Sequence, residues 1–134
     1  MTFDVVTRRI DATRSQAFCK TAVIEMDTCL AGRDDAFNPA ELLLAALSAC
    51  MVKGIERVTP LLKFSLRSVE VHLHGIRQDV PPRLEAIMYD IIVDTHESDS
   101  RLLLLHENVK KYGTVFNTLA PGTNLSGQLR RKTD

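Results

Sequence analysis

Apolar and polar residues alternate along the first part of the chain, shift to a helical period near residue 38, and alternate again from residue 69. Phe3 to Ile10 reads as a strand with Phe3 and Val5 on one face, and the polar stretch Asp11 to Gln16 suits a turn. Phe18 to Met26 alternates once more, so Phe18, Ala22, Ile24 and Met26 are expected to share a face, with Lys20 the exception. A loop is expected from Asp27 to Phe37, carrying Gly32 and the acidic pair Asp34-Asp35.

The strongest local signal follows. Asn38 is a good N-cap, Pro39 fits the first helical position, and Glu41 sits where it can reach back to complete a capping box. From Leu42 to Val52 the helix is apolar on nearly every side, which predicts burial all round. Polar residues return at Lys53, Glu56 and Arg57, and Pro60 is expected to end the helix, which then runs from Asn38 to about Val58. In the next strand Val69, Val71 and Leu73 alternate with Glu70, His72 and His74. In the one after it, Ile87, Tyr89, Ile91 and Val93 form a face, and Pro81-Pro82 lies in the loop between the two. A second helix is expected from Ser98, with the stripe Leu102, Leu105, Val109 and Tyr112 and with Gly113 as its closing residue. Val115 to Leu119 looks β-like, Pro121-Gly122 is a turn, and a last strand is expected near Leu125 to Leu129. The order is therefore β-β-α-β-β-α-β, an α+β class with antiparallel pairing expected. A sheet from so short a chain covers one side of the apolar helix, and the other sides call for a second copy in an obligate homodimer.

Length and charge narrow the field. The 134 residues fit a single domain, residues 1–134, and need no disulfide or metal to fold. The formal net charge is zero, which argues against nucleic acid or an anionic membrane as partner, since both need a cationic surplus. The run Arg130-Arg131-Lys132 is too short to reverse this and reads as a solvated tail. No secretory leader is evident, the apolar run Leu42 to Val52 is too short to span a bilayer, and three cysteines make no closed disulfide framework. A reducing, cytoplasmic setting is expected.

Few residues carry chemistry. Cys50 lies about three turns into the apolar helix, where a small buried hydrophobe is the ordinary reading. It is too far from Asn38 for the helix N-terminus to stabilise a thiolate. Cys19 falls on a strand and Cys29 in the loop; the three cysteines form neither a CxxC pair nor a zinc-ligand spacing. His72 and His74 share a strand face with Glu70, which reads as solvated rather than ligating, and His106 is expected on the surface. No phosphate loop, GxSxG elbow or HExxH occurs, and no metal or cofactor is expected.

Three segments together resemble one family. Gly32 to Cys50, GRDDAFNPAELLLAALSAC, is similar to the signature of the osmotically inducible protein C (OsmC) and organic hydroperoxide resistance (Ohr) family. In that signature an N-P-E-E/Q-L motif caps the central helix and a cysteine follows ten residues after the first glutamate. Val69 to Ile87, VEVHLHGIRQDVPPRLEAI, resembles the family's two-strand hairpin, and Tyr112 to Leu119, YGTVFNTL, resembles its closing C-P-V-S-x-T-L motif. The resemblance implies an intertwined homodimer around paired, buried central helices. It also implies a thiol peroxidase cycle: one cysteine takes oxygen from an organic hydroperoxide, a second resolves the sulfenic acid, and an external dithiol reduces the disulfide. An arginine held by the motif glutamate assists.

Carried over by residue, Cys50 occupies the peroxidatic position, the resolving position is Gly113, and the motif glutamate is Ala40. Glu41, one position on, points about 100° away and cannot substitute. Arg8, Arg9, Arg14 and Arg33 are all candidates for the arginine. Besides a redox sensor in which oxidation of Cys50 changes the dimer, the residues leave two readings open. One is a thiol-dependent hydroperoxide reductase acting through Cys50 in oxidative stress defence, with a small thiol or Cys29 as resolver. The other is a non-enzymatic relative that binds a small hydrophobic ligand or a protein partner.

Overall fold

The protein is described by a computed structural model covering residues 1–134. The chain divides into two compact units, Met1–Leu43 and Leu44–Asp134.

The first unit is an antiparallel sheet in the order β1-β2-β3, with β1 Val6–Arg9, β2 Arg14–Cys19 and β3 Ala22–Asp27. The stretch Phe18 to Met26, expected as one strand, is instead the tip of a hairpin. Lys20 takes a left-handed conformation with φ 55°, and Phe18 pairs with Val23 while Ala17 pairs with Ile24. Reversal shifts the parity, so Phe18 and Ile24 lie on opposite faces. The signal was absent because lysine holds a position that glycine or asparagine usually marks. The turn before β2 is also shorter than expected. The Asp11 carboxylate accepts the Thr13 N–H at 2.9 Å and the Arg14 Nε–H at 3.0 Å, so β2 starts at Arg14.

The loop after β3 is tied from within. The buried Asp27 carboxylate accepts backbone N–H groups from Cys29 and Arg33, both at 2.9 Å, and its own N–H donates to the Phe37 carbonyl. The capping box then forms as its residues dictate: Glu41 N–H donates to Asn38 Oδ1 at 2.8 Å and Asn38 N–H to Glu41 Oε1 at 3.0 Å. Helix α1, Pro39–Leu62, starts here.

The second unit holds the hydrophobic core. Its sheet has the order β4-β5-β6, with β4 Ser68–Gln78, β5 Arg83–Asp94 and β6 Asn124–Arg131. β4 and β5 pair antiparallel, but β5 and β6 run parallel, because α2 (Asp99–Tyr112) and α3 (Thr114–Leu119) form a crossover between them. The expected all-antiparallel pairing is corrected on this point. So is the β-like reading of Val115 to Leu119: Val115, Phe116 and Leu119 are spaced to put one side of a short helix against the core. The element order becomes β-β-β-α-β-β-α-α-β within the same α+β class.

Ile87, Tyr89, Ile91 and Val93 of β5 are all buried, and they pack in one cluster with Leu47, Met51, Ile55 and Val58 of α1 and Leu102, Leu105 and Val109 of α2. Tyr112, expected in the α2 stripe, is exposed. Burial of α1 differs from expectation too. One stripe is buried, while Leu43 and Val52 remain 36% and 37% exposed and Ala46 and Ala49 are open. A single chain has only one layer to offer this helix.

Pro60 does not stop α1. The helix ends two residues later, where Lys63 has φ 49°, Phe64 N–H donates to the Thr59 carbonyl at 2.8 Å and Lys63 N–H to Pro60 at 3.3 Å. This double closure is the Schellman pattern with lysine in the glycine position, and Phe64 buries itself beside Val58 as the pattern requires. Arg101 adds a further donor to the Leu62 carbonyl.

Replacing Asn38 by alanine removes the side-chain acceptor of α1 and should cost about 1 kcal/mol in urea unfolding, with Glu41→Ala costing less. An Asn38→Ala variant as stable as the parent would mean that the cap contributes nothing.

Candidate active site

Cys50 is half-buried on α1, next to the stripe that packs into the core. Across from it, Gly113 joins α2 to α3. Its backbone has φ −78° and ψ 114°, so no left-handed turn demands glycine here, contrary to the role expected for it as a helix-closing residue. Space does. A Cβ on Gly113 would lie 3.1 Å from Cys50 Sγ, 3.1 Å from Phe116 Cβ and 3.2 Å from the Val109 carbonyl oxygen. The separation of Cβ from the partner sulfur in a disulfide is roughly 3 Å. A sulfur carried on that Cβ would thus lie within bonding range of Cys50 Sγ.

Behind this pair lies an aromatic stack. Phe116 meets Tyr89 edge-on, with ring centroids 6.3 Å apart and planes at 82°. Tyr89 meets His106 in the same manner at 5.6 Å, and its hydroxyl lies 2.7 Å from His106 Nε2. His106 is therefore half-buried on α2 rather than on the surface as expected. Burial pushes the Tyr89 phenol up to about 12, aided by the nearby Glu107 charge. Burial first, and then the Lys110 charge, push the His106 imidazole below its ordinary value. Both effects favour neutral groups, so the Tyr89 hydroxyl and His106 Nε2 share a hydrogen bond between uncharged partners. Gly127 makes room for the tyrosine: a Cβ there would sit 2.2 Å from the Tyr89 carbonyl oxygen and 2.5 Å from its ring.

The arginines singled out in the sequence all lie in the first unit. Arg33 is held by Asp35 at 2.8 and 3.0 Å, by Glu25 at 2.9 Å and by the Thr13 carbonyl at 3.3 Å. Arg14 pairs with Asp11, and Arg8 lies over the Phe18 ring at 5.1 Å. Arg33 and Arg14 are thereby committed to structural bonds. Ala40 is exposed and supplies no carboxylate, and Glu41 is engaged in the capping box.

The remaining candidates separate cleanly. Cys19 and Cys29 are free and half-buried, and both belong to the first unit. His72 and His74 are exposed, with His72 Nε2 at 2.5 Å from Glu70. No cluster of three or more histidine, cysteine or acidic residues stands ready to hold a metal. No helix is long and apolar enough to cross a membrane. The Tyr89–His106 pair escaped the sequence reading. Its one available signal was a histidine one place from Leu105 on the buried stripe of α2.

Comparison with known proteins gives a consistent picture. The family model described as "OsmC-like protein" matches residues 32–126. Among solved structures, an OsmC-like protein from Mycoplasma pneumoniae superposes with a TM-score of 0.90 at 17% identity, covering 99% of each chain. The organic hydroperoxide resistance protein OhrB of Bacillus subtilis gives 0.65 at 17% identity over 98% of each chain. An organic hydroperoxide resistance protein OsmC from Legionella pneumophila gives 0.69 at 15% identity over 99% of this chain and 98% of the other. At such identities the superpositions speak for the fold alone. No curated protein matches the sequence.

Two measurements test this geometry. Gly113→Cys should bond to Cys50 on mild oxidation, so that thiol titration of the folded variant loses two groups and a Cys50→Ser background abolishes the loss. An unchanged count would place the two residues farther apart. The second concerns His106, whose folded value lies below 6.5. Its contribution to stability is full above that value and is lost as pH falls through the folded one. The urea midpoint of the parent should therefore fall between pH 6.5 and about 5, above the carboxylate range. His106→Gln should flatten that fall, and equal slopes would contradict the assignment.

Proposed function

The chain belongs to the OsmC-like protein family, and on that premise we propose that it reduces small organic hydroperoxides with Cys50 as its sole nucleophile and an external thiol as reductant. The observation that carries this reading is the facing pair Cys50 and Gly113: the thiol holds the reactive position, and the place of a resolving cysteine is filled by glycine at contact distance. The Cys50 thiolate attacks the terminal peroxide oxygen and the O–O bond breaks. The alcohol departs with a proton, and Cys50 is left as a sulfenic acid. With no second sulfur at Gly113, an external thiol attacks the oxidised sulfur, water leaves, and a mixed disulfide forms. A second equivalent of thiol releases the oxidised reductant and restores Cys50. The names of two solved relatives, both organic hydroperoxide resistance proteins, support the substrate class.

Turnover is slow in this reading. Ala40 offers no carboxylate to anchor an arginine, and Arg33 already spends its donors on Glu25, Asp35 and Thr13. The same two facts favour the second reading, a non-enzymatic relative holding a small hydrophobic ligand in the former peroxide site.

The working form is a homodimer. In the first unit the buried residues are Ser15, Ala17 and Asp27, while Phe3, Val5, Val23, Ile24 and Phe37 are exposed, so that unit has no apolar core of its own. The open side of α1 adds Leu43 and Val52 to the surface in need of cover. A second copy of the chain provides it. Three free thiols suit a reducing, cytoplasmic setting.

A dithiothreitol-coupled assay with tert-butyl hydroperoxide should show slow turnover in the parent and none in Cys50→Ser. The double variant Ala40→Glu, Gly113→Cys should be faster by on the order of tenfold, the worth of about one charge-assisted hydrogen bond. If parent and double variant are both inert although folded, the binding reading replaces this one. Sedimentation at micromolar concentration should give a dimer, and a stable folded monomer would refute the assembly.

A further inference from the structure

The site as described leaves Cys50 without a cation, and one residue outside the four arginines discussed above can supply it. Arg57 follows Cys50 by seven residues on α1, about two turns, and so projects from the same side of the helix. Helical side chains lean toward the N-terminus, which carries the Arg57 guanidinium back in the direction of Cys50. Between them on that side stand Lys53 and Gly54, and the glycine is buried against Val109 of α2. The guanidinium is fixed at its far end: Nη1 donates to the Tyr112 carbonyl oxygen at 3.3 Å. That oxygen belongs to the peptide leading into Gly113, the residue whose Cβ position is 3.1 Å from Cys50 Sγ. The thiol and the guanidinium thus converge on one peptide segment from one helix face.

We propose that Arg57, tethered to the Tyr112 carbonyl, is the positioning residue that stabilises the Cys50 thiolate in this protein. The inference rests on Cys50 being the reactive thiol. Arg57 also offers a donor to the negative end of α2, a merely structural duty that any hydrogen-bonding side chain could share. The basic side chains toward the end of α2 have partners of their own. Lys110 pairs with Glu107 at 2.9 Å, Lys111 lies over the Tyr112 ring at 5.3 Å, and His106 is held neutral against Tyr89. Lys53 and Glu56 are exposed on α1.

The test is the rate of Cys50 carboxamidomethylation by iodoacetamide as a function of pH, read on the Cys50 peptide by mass spectrometry in the full-length protein. Arg57→Gln should slow the reaction at neutral pH roughly three- to tenfold, the effect of one screened charge at short range, and move the rate profile to higher pH. Arg57→Lys should recover most of the rate, and 1 M salt should narrow the gap between parent and Arg57→Gln. A profile for folded Arg57→Gln that superimposes on the parent, or a shift seen in Lys53→Gln instead, overturns the proposal. Alkylation needs no peroxide, so its outcome is separate from the hydroperoxide reading. If Arg57 governs alkylation and tert-butyl hydroperoxide still leaves Cys50 unoxidised, the proposed reaction falls while the role of Arg57 stands.

Discussion

The apolar face of β5 packed against α1 and α2 is the constraint from which the rest follows. Ile87, Tyr89, Ile91 and Val93 alternate along the strand, and every one of them is buried in the cluster that holds the two helices. Each fully buried side chain of this kind is worth roughly 1.5–3 kcal/mol, so the register of β5 against the helices is not free to slip. Fixing that register fixes Cys50 against Gly113, because α1 carries the one, α2 leads into the other, and the same face pins both helices. The thiol is consequently held by the core rather than by a loop, which suits a group that must meet a partner within bonding distance.

Within that frame the site is defined as much by missing atoms as by those present. Gly113 has no side chain at the position facing Cys50 Sγ, and Ala40 has no carboxylate; under the proposed function these are the resolving and anchoring positions. Gly127 removes another, and there the gain is visible: the Tyr89 ring fits the space, stacks on Phe116 and bonds His106. The stack backs the segment that carries Gly113 with a rigid, neutral pair. Under the proposed function, Cys50 takes its second thiol from solution.

Much of this could be read from the residues, and the failures have physical causes. The capping box at Asn38 and Glu41, the buried face of β5 and the place of Cys50 follow from local spacing, which is why they were legible. The β2–β3 hairpin and the end of α1 were not, because Lys20 and Lys63 take left-handed conformations without the glycine that advertises them. The α3 helix was hidden by Val115 and Thr118, residues that favour strands until tertiary packing decides otherwise. The burial of α1 was read from one helix in isolation, and a single chain covers only one of its sides. Tyr89 with His106, and Arg57 with Tyr112, join residues 17 and 55 positions apart, and no local pattern reports such pairs.

The central claim is that Cys50 reacts alone, beside an empty resolving position. Intact mass measured after one equivalent of tert-butyl hydroperoxide, without any thiol present, bears on it most directly. The account predicts a gain of one oxygen atom, mapped to Cys50 and persisting until a monothiol is added, when it gives way to a mixed disulfide. Prompt loss of two hydrogens, marking an internal disulfide with Cys19 or Cys29, or no change in mass at all, would contradict it.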